Sequence, residues 1–138
     1  MNFREYIPGT DEEIIARYMK ENGINKKKDA LVALRSEIPK ESYYQKKIKD
    51  AIKKKYPYPK AMITKIAQGA YSQGGIPDIF MLYKGHYFGF EVKRPCIGVQ
   101  SELQKLTIKK IREVGGTADF VRWPEEALEI IKKWEESK

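Results

Sequence analysis

The sequence predicts a mixed α/β (α+β) fold in which helices pack on a central sheet. Apolar residues recur at helical spacing in the first 55 residues and again after residue 100, and the pattern changes to strand-like alternation from Ala61. Proline and glycine residues mark the changes between these patterns. The predicted order is a helical pair, a third helix, a three-strand meander, a helix, a strand and a last helix.

The composition is that of one ordinary domain. The chain has 138 residues, of which 41% are hydrophobic and 33% are charged, which is enough apolar material to bury a core. No apolar run approaches the roughly 18 residues of a membrane span, and the N-terminus lacks the features of a signal peptide, so we expect a soluble, cytoplasmic protein. One cysteine, Cys96, and one histidine, His86, exclude an intrachain disulfide and a Cys/His zinc site.

Residues 1–40 are predicted to form an N-terminal helical appendage. A capping-box pattern at 10–13 precedes apolar residues at helical spacing, and Asn22-Gly23 ends this first helix. A second helical stripe follows at 30–38 and ends at Pro39. The pair could be a small DNA-binding attachment with a basic turn or a plain packing appendage, and the sequence leaves both readings open.

A third helix is predicted from Glu41 to Lys55, and the segment Tyr56-Pro57-Tyr58-Pro59 ends it because proline cannot continue a helix. Residues 20–60 carry 13 basic and 5 acidic side chains, an excess equal to the net charge of +8 of the whole chain. Such a stretch favours a polyanionic partner, although a solvated helix face has the same composition. The candidate nucleic-acid-binding residues are Lys46, Lys47, Lys53 and Lys54 on this helix, Lys65 on the next strand and Gln73 in a glycine-rich loop.

Six further elements are predicted after residue 60. They are strands at 61–66, 78–83 and 87–93, a helix at 102–114, a strand at 117–122 and an amphipathic helix from Pro124. A tight turn at 84–86 joins the second and third strands into a hairpin, and we expect His86 in this turn to be solvated.

The hairpin carries the most informative pattern of the chain. Asp78 begins its first strand, and Glu91 and Lys93 follow one another on one face near the end of its second strand. The start of the first strand lies beside the end of the second, so two carboxylates and a lysine are expected to converge. Carboxylates that repel one another favour a hard cation such as Mg²⁺ or Mn²⁺, and this chemistry suits phosphodiester hydrolysis. We expect Glu91 to be a surface ligand and not a packed side chain. A chance ion pair on an exposed strand face is the alternative.

These motifs resemble the VRR-NUC family of the PD-(D/E)xK nuclease superfamily. The resemblance rests on Gly75-Ile76-Pro77-Asp78, on Glu91-Val92-Lys93, on Gln104 and on the segment 115–122, and it covers about two thirds of the chain. It implies an αβββαβ, restriction-endonuclease-like core with a mixed central sheet, over residues 41–138. It also implies Asp78, Glu91 and the Val92 carbonyl as metal ligands and Lys93 as the catalytic lysine. Short members of this family are often virus-borne, form homodimers and resolve four-way (Holliday) junctions.

Two more residues are assigned by this resemblance. Glu41 opens the third helix on its core side, where similar nucleases carry an additional acidic metal-site residue, although a first-turn glutamate is also favoured by the helix dipole. Gln104 matches a glutamine of the family and is expected at the catalytic site, although a capping box with Ser101 explains it equally well. The two roles of Gln104 are compatible.

The sequence therefore predicts a DNA endonuclease that depends on Mg²⁺ or Mn²⁺ and acts as a homodimer, with a possible preference for branched DNA. A second hypothesis is a non-catalytic nucleic-acid-binding module of the same fold within a phage or replication and repair assembly. A third is a basic structural protein with an accidental motif. Cleavage of DNA in Mg²⁺ but not in EDTA separates the first hypothesis from the other two.

Overall fold

The computed structural model describes residues 1–67 and 74–138. The predicted residue Gln73 and the loop around it lie outside the described residues. The helices are α1 (Asp11–Asn22), α2 (Lys27–Glu37), α3 (Glu41–Lys55), α4 (Glu102–Glu113) and α5 (Pro124–Glu136), and the strands are β1 (Ala61–Lys65), β2 (Ile79–Tyr83), β3 (His86–Val92) and β4 (Thr117–Val121). The predicted element order is confirmed.

The four strands form one mixed sheet in the order β1-β2-β3-β4. Strands β1, β2 and β3 are a meander of antiparallel neighbours, and β4 pairs with β3 in parallel after the crossover through α4. In the β2–β3 register Ile79 lies opposite Phe90. This register fixes which side chains meet at the start of β2 and the end of β3.

The core lies on the sheet face that α3 and α5 cover. Phe88, Phe90 and Val92 of β3 are fully buried, as are Ile48 of α3 and Ile131 of α5. These residues alternate along β3 with Tyr87, Gly89 and Glu91, which point to the opposite face. Helix α4 covers that second face and contributes one buried residue, Ile108.

The first forty residues pack on the same core as the rest of the chain. Ile14, Leu34 and Ile38 belong to one hydrophobic cluster with the side chains of α3 and the sheet. The Arg122 guanidinium after β4 donates to Asp11 Oδ1 at 2.6 Å, and that of Arg94 donates to the Ile38 carbonyl at 2.6 Å. The domain division at residue 40 stays a prediction.

His86 is not the solvated turn residue that the sequence predicted. It is the first residue of β3, half-buried, and its Nε2 lies 2.8 Å from the Thr117 hydroxyl of β4. Its ring stacks on Trp134 with centroids 4.6 Å apart. Burial and the nearby charge of Lys138 lower the pKa of His86. His86 therefore packs between α5 and β4 and contributes to the fold.

Within residues 1–67 and 74–138, no helix is both long and apolar enough to cross a bilayer.

Candidate active site

Asp78 and Glu91 meet where β2 begins and β3 ends. The Asp78 backbone N–H donates to Glu91 Oε2 at 3.2 Å, and Asp78 Oδ2 accepts from the Val92 N–H at 2.8 Å. Each acidic side chain therefore accepts a hydrogen bond from the backbone of the segment that carries the other. The hairpin register explains this, because Asp78 immediately precedes the residue that pairs with Phe90.

Gly75, three residues before Asp78, lets the chain approach α4 closely. Its φ of +86° lies in the left-handed region, and a Cβ there would fall 2.9 Å from Leu103 Cγ and 2.8 Å from Thr107 Oγ1. A larger residue would push the segment that leads to Asp78 away from the helix. The glycine of the Gly-Ile-Pro-Asp motif is therefore a requirement of packing next to the site.

Glu91 is buried, which corrects the expectation that it is a surface side chain. Its exposed fraction is 4%. Burial and the charge of Asp78 raise the pKa of Glu91 to about 8, although Lys93 opposes the shift. Burial also raises the pKa of Asp78. Two desolvated carboxyl groups this close cannot both ionise without cost unless a cation lies near them.

Lys93 supplies one such cation. Its Nζ lies 4.0 Å from Glu91 Oε1, and its side chain is 14% exposed. The charge of Lys93 lowers the pKa of Asp78, of Glu91 and of Glu41, so this ammonium group acts on all three carboxyl groups. A single lysine does not offset the shifts, because the pKa of each of the three remains raised.

Gln104 connects the start of α4 to the site. Its Nε2 donates to Glu91 Oε1 at 2.8 Å, while its Oε1 accepts from the Ser101 N–H at 3.1 Å and its own N–H donates to Ser101 Oγ at 3.1 Å. The capping box and the contact with the site are therefore both present. The side-chain amide is oriented by the cap, and it holds one oxygen of Glu91 in place.

A cleft of about 460 Å³ opens beside the carboxylate pair. Its lining includes Asp78, Glu41 and Gln45 of α3, and Lys65 of β1. Burial and the charge of Asp78 raise the pKa of Glu41. Glu41 therefore shares a cleft with Asp78, and its charge also raises the pKa of Glu91, so α3 adds a third carboxyl group to the site.

Sequence reasoning missed Gln45. This glutamine is 9% exposed, its Nε2 lies 3.5 Å from Glu41 Oε2, and its hydrogen bond to Asp78 lowers the pKa of that carboxyl. It links the acidic residue of α3 to the acidic residue of β2. The available signal was its position one turn after Glu41 on the core side of the predicted helix.

The donor set fits a hard divalent cation. Within the described residues, no group of three or more His, Cys, Asp or Glu side chains is arranged to hold a metal ion. What the structure provides is the pair Asp78 and Glu91, with raised pKa values that a divalent cation would lower, and Glu41 on the cleft that Asp78 lines. Carboxylate oxygens with room for water are the ligands that Mg²⁺ and Mn²⁺ prefer.

The predicted DNA-binding lysines do not converge on one point. Lys65 lines the cleft, whereas Lys53 lines a separate groove at the other end of β1. Lys46 Nζ pairs with Asp50 at 2.7 Å, and Lys47 Nζ lies over the Tyr43 ring, 5.6 Å from its centroid. Lys54 is exposed. None of these four lysines of α3 is therefore part of the cleft lining.

Comparisons with known proteins identify the fold. No family model matches the sequence, and no curated protein matches it. Among solved structures, one described as "VRR_NUC domain" superposes with a TM-score of 0.51 at 17% identity, over 64% of this chain and 95% of that one. At an identity this low, the similarity shows only that the two proteins share a fold. The chain therefore has the fold of that VRR_NUC domain, here built on a mixed four-stranded sheet.

Proposed function

We propose that the protein is a DNA endonuclease that hydrolyses phosphodiester bonds with Mg²⁺ or Mn²⁺. The observation that carries this proposal is the contact of Asp78 with Glu91. Glu91 Oε1 lies 4.0 Å from the Lys93 ammonium, and Asp78 lines an open cleft. Neither the fold nor the net charge alone would support a nuclease. A structural ion pair has no need of a second buried carboxylate, because that group raises the free energy of the folded state.

Asp78, Glu91 and the Val92 carbonyl would hold the cation, and Glu41 would add negative charge from α3. When bound, such an ion lowers the pKa of a coordinated water and offsets the negative charge that develops on the phosphate. The chain's own contribution is to fix the ligands. The Val92 N–H holds Asp78 Oδ2, and the amide of Gln104 holds Glu91 Oε1.

Lys93 supplies a positive charge that the protein positions without a metal. Its side chain is mostly buried, so its ammonium group is poorly screened by solvent and can donate to a phosphate oxygen or hold the attacking water. Lys65, on the cleft wall, is placed to pair with a neighbouring phosphate of the same strand.

The finer parts of the proposal concern the substrate and the assembly. The net charge of +8 supports DNA as the partner, and a symmetric dimer would hold two such sites at the fixed separation that a four-way junction requires. We propose a homodimer that prefers branched DNA. A monomer mass in light scattering at micromolar concentration would contradict the dimer.

The decisive experiment is a cleavage panel with linear, nicked, flapped and four-way DNA in Mg²⁺, Mn²⁺ or EDTA. Wild type is expected to cut only in the presence of the cation, and Glu91→Gln is expected to bind but not to cut. Glu129→Gln is the matched control, because Glu129 is an exposed glutamate of α5. Tight binding without cleavage in either cation would instead support a non-catalytic binding module, and full activity of Glu91→Gln would overturn the assignment.

A further inference from the structure

An exposed tyrosine stands in a groove at the far end of β1. Tyr58 is 84% exposed and lines a groove of about 360 Å³ together with Pro57, Met62 and Lys53. Met62 is itself 51% exposed. The exposed aromatic ring is a flat surface on which planar groups stack, and the thioether of Met62 adds a polarizable group to the same groove.

The helix and turn that lead to this groove are rich in lysine, and Lys53 lines it. Residues 40–60 contain eight lysines and two acidic residues. Lys53, Lys54 and Lys55 at the end of α3 complement the helix dipole, which accounts for lysines at those positions. The dipole does not account for Lys60, outside the helix, whose Nζ lies over the Tyr56 ring at 5.2 Å, nor for the exposure of Tyr58. The charge favours an anionic occupant over an apolar peptide.

The groove and the cleft lie at opposite ends of the same two elements. Glu41 and Gln45 of α3 line the cleft, and Lys53, two further helical turns beyond Gln45, lines the groove. On β1, Lys65 lines the cleft and Ala61 lines the groove. Four strand steps separate these two residues, about 14 Å, which corresponds to about four nucleotide steps along a duplex axis.

From these observations we infer that the Tyr58 groove binds an unpaired base of the DNA strand that runs from the cleft along α3 and β1. The inference rests on the proposed function and specifies its substrate: DNA with a single-stranded or unstacked nucleotide a few positions from the phosphate in the cleft. An aromatic ring stacks on the face of a base, and in an intact duplex that face is covered by the neighbouring base pairs. Lys65 at the cleft and Lys53 at the groove would each neutralise a phosphate at one end of this path.

The test measures binding in EDTA, so that cleavage plays no part. Wild type, Tyr58→Ala and Tyr58→Trp are titrated with a flapped duplex and with a fully paired duplex of equal length. Tyr58→Ala is expected to lower the affinity for the flapped DNA about 5- to 150-fold and to leave that for the paired duplex unchanged, and Tyr58→Trp is expected to retain it. Val114→Ala, which alters an exposed apolar residue just after α4, is the control and should bind as wild type does.

Photocrosslinking locates the base. 5-Iodouracil is moved one nucleotide at a time along the unpaired arm, and the crosslinked peptide is identified by mass spectrometry. The inference requires a crosslink to Tyr58 at one or two adjacent unpaired positions. A crosslink confined to other residues, an unchanged affinity of Tyr58→Ala, or an equal loss for both DNAs would overturn it.

The two proposals fail in different ways. If wild type cuts DNA in Mg²⁺ while Tyr58→Ala binds flapped DNA as wild type does, the groove inference is wrong and the nuclease assignment stands. If Tyr58 carries the binding of unpaired DNA but no cation supports cleavage, the nuclease assignment is wrong and the groove inference stands.

Discussion

The Gln104 side-chain amide donates to Glu91 Oε1 at 2.8 Å while the same side chain closes the N-terminal cap of α4 on Ser101. One glutamine therefore joins the start of a helix to a buried carboxylate of the sheet. Because the cap restricts the rotamers of Gln104, the amide approaches Glu91 from a fixed direction. This contact allows the roles of cap and site to be separated by mutation.

Gln104→Ala should impair both stability and activity, whereas Ser101→Ala should impair stability alone. Each variant loses one of the two hydrogen bonds of the capping box, at about 1 kcal/mol of unfolding free energy. Loss of the amide that orients Glu91 should reduce cleavage or the apparent Mg²⁺ affinity by roughly 10- to 100-fold in Gln104→Ala only. Urea unfolding and initial cleavage rates measure the two effects. Equal activity of the two variants would show that the glutamine serves the cap alone.

Glu91→Gln should fold about as well as wild type in EDTA at pH 8.5, whereas Glu91→Ala should be less stable. Burial and Asp78 disfavour the ionised side chain, so removing its charge offsets the loss of one hydrogen-bond acceptor. Alanine leaves the Asp78 N–H and the Gln104 amide without that acceptor, at about 1–3 kcal/mol for each buried group. Urea unfolding of the three proteins checks the order, and a large loss in Glu91→Gln would contradict it.

Wild type should gain thermal stability from Mg²⁺ or Mn²⁺, and Asp78→Asn should gain less. An ion that binds only the folded state adds about 2.7 kcal/mol when its concentration is 100 times the Kd. Asn can still accept a hydrogen bond from the Val92 N–H, so the fold is retained while a ligand charge is lost. Calorimetry with and without each cation measures the shift, and Ca²⁺ tests whether size matters. An unshifted wild type would argue against a cation at this site.

Glu135 should make the folded state sensitive to acid. The hydroxyls of Tyr56 and Tyr83 donate to its two oxygens at 2.7 and 2.9 Å, and these bonds lower the pKa of Glu135 below its ordinary value of 4.5. Its contribution to stability is thus fully present above pH 4.5 and is lost as the pH falls through the lowered value. Between pH 7 and pH 3, wild type should lose more unfolding free energy than Glu135→Gln. Glu136→Gln, altered at the neighbouring exposed position, should follow wild type.

Arg122→Lys should destabilise the protein by about 1–2 kcal/mol. The guanidinium of Arg122 contacts Asp11, Glu126 and the Gly9 carbonyl, a set of acceptors that one ammonium group cannot satisfy together. Arg112→Lys is the control because its ion pair with Asp119 is half-exposed and its guanidinium otherwise donates to the Ala118 carbonyl, so its loss should be smaller, about 0.5–1 kcal/mol. Chemical unfolding compares the two, and equal effects would mean that Arg122 does not tie residues 1–40 to the sheet.

Local pattern was sufficient to predict the hairpin and the pairing of Asp78 with Glu91. Alternation with a period of two and a tight turn leave one register that buries Phe88 and Phe90, and that register brings the two carboxylates together. The helices could be predicted in the same way from the residues that cap and end them. At the start of α1, for example, the Thr10 side chain accepts from the Glu13 N–H. These features depend on residues close in sequence.

Features that depend on distant residues were not predicted. The burial of Glu91 requires α4 to cover its face of the sheet, and the burial of His86 requires Trp134 from α5. Gln45 was included in the core-side stripe of its helix, but its contacts with Glu41 and Asp78 depend on how α3 packs beside β2. Tyr58 was interpreted as part of a helix stop, and its exposure depends on the placement of β1.

Helix α3 is 15 residues long and carries residues of the cleft near its start and of the basic groove near its end. The offset between them is consequently set by the rise of 1.5 Å per residue of a rigid rod and not by a loop. One residue inserted between Lys49 and Lys53 would turn the last helical segment by about 100° and swing its cations away from β1, while Glu41 and Gln45 stayed in place. Spacing along this rod, more than the number of lysines, would then govern which nucleotide reaches the groove.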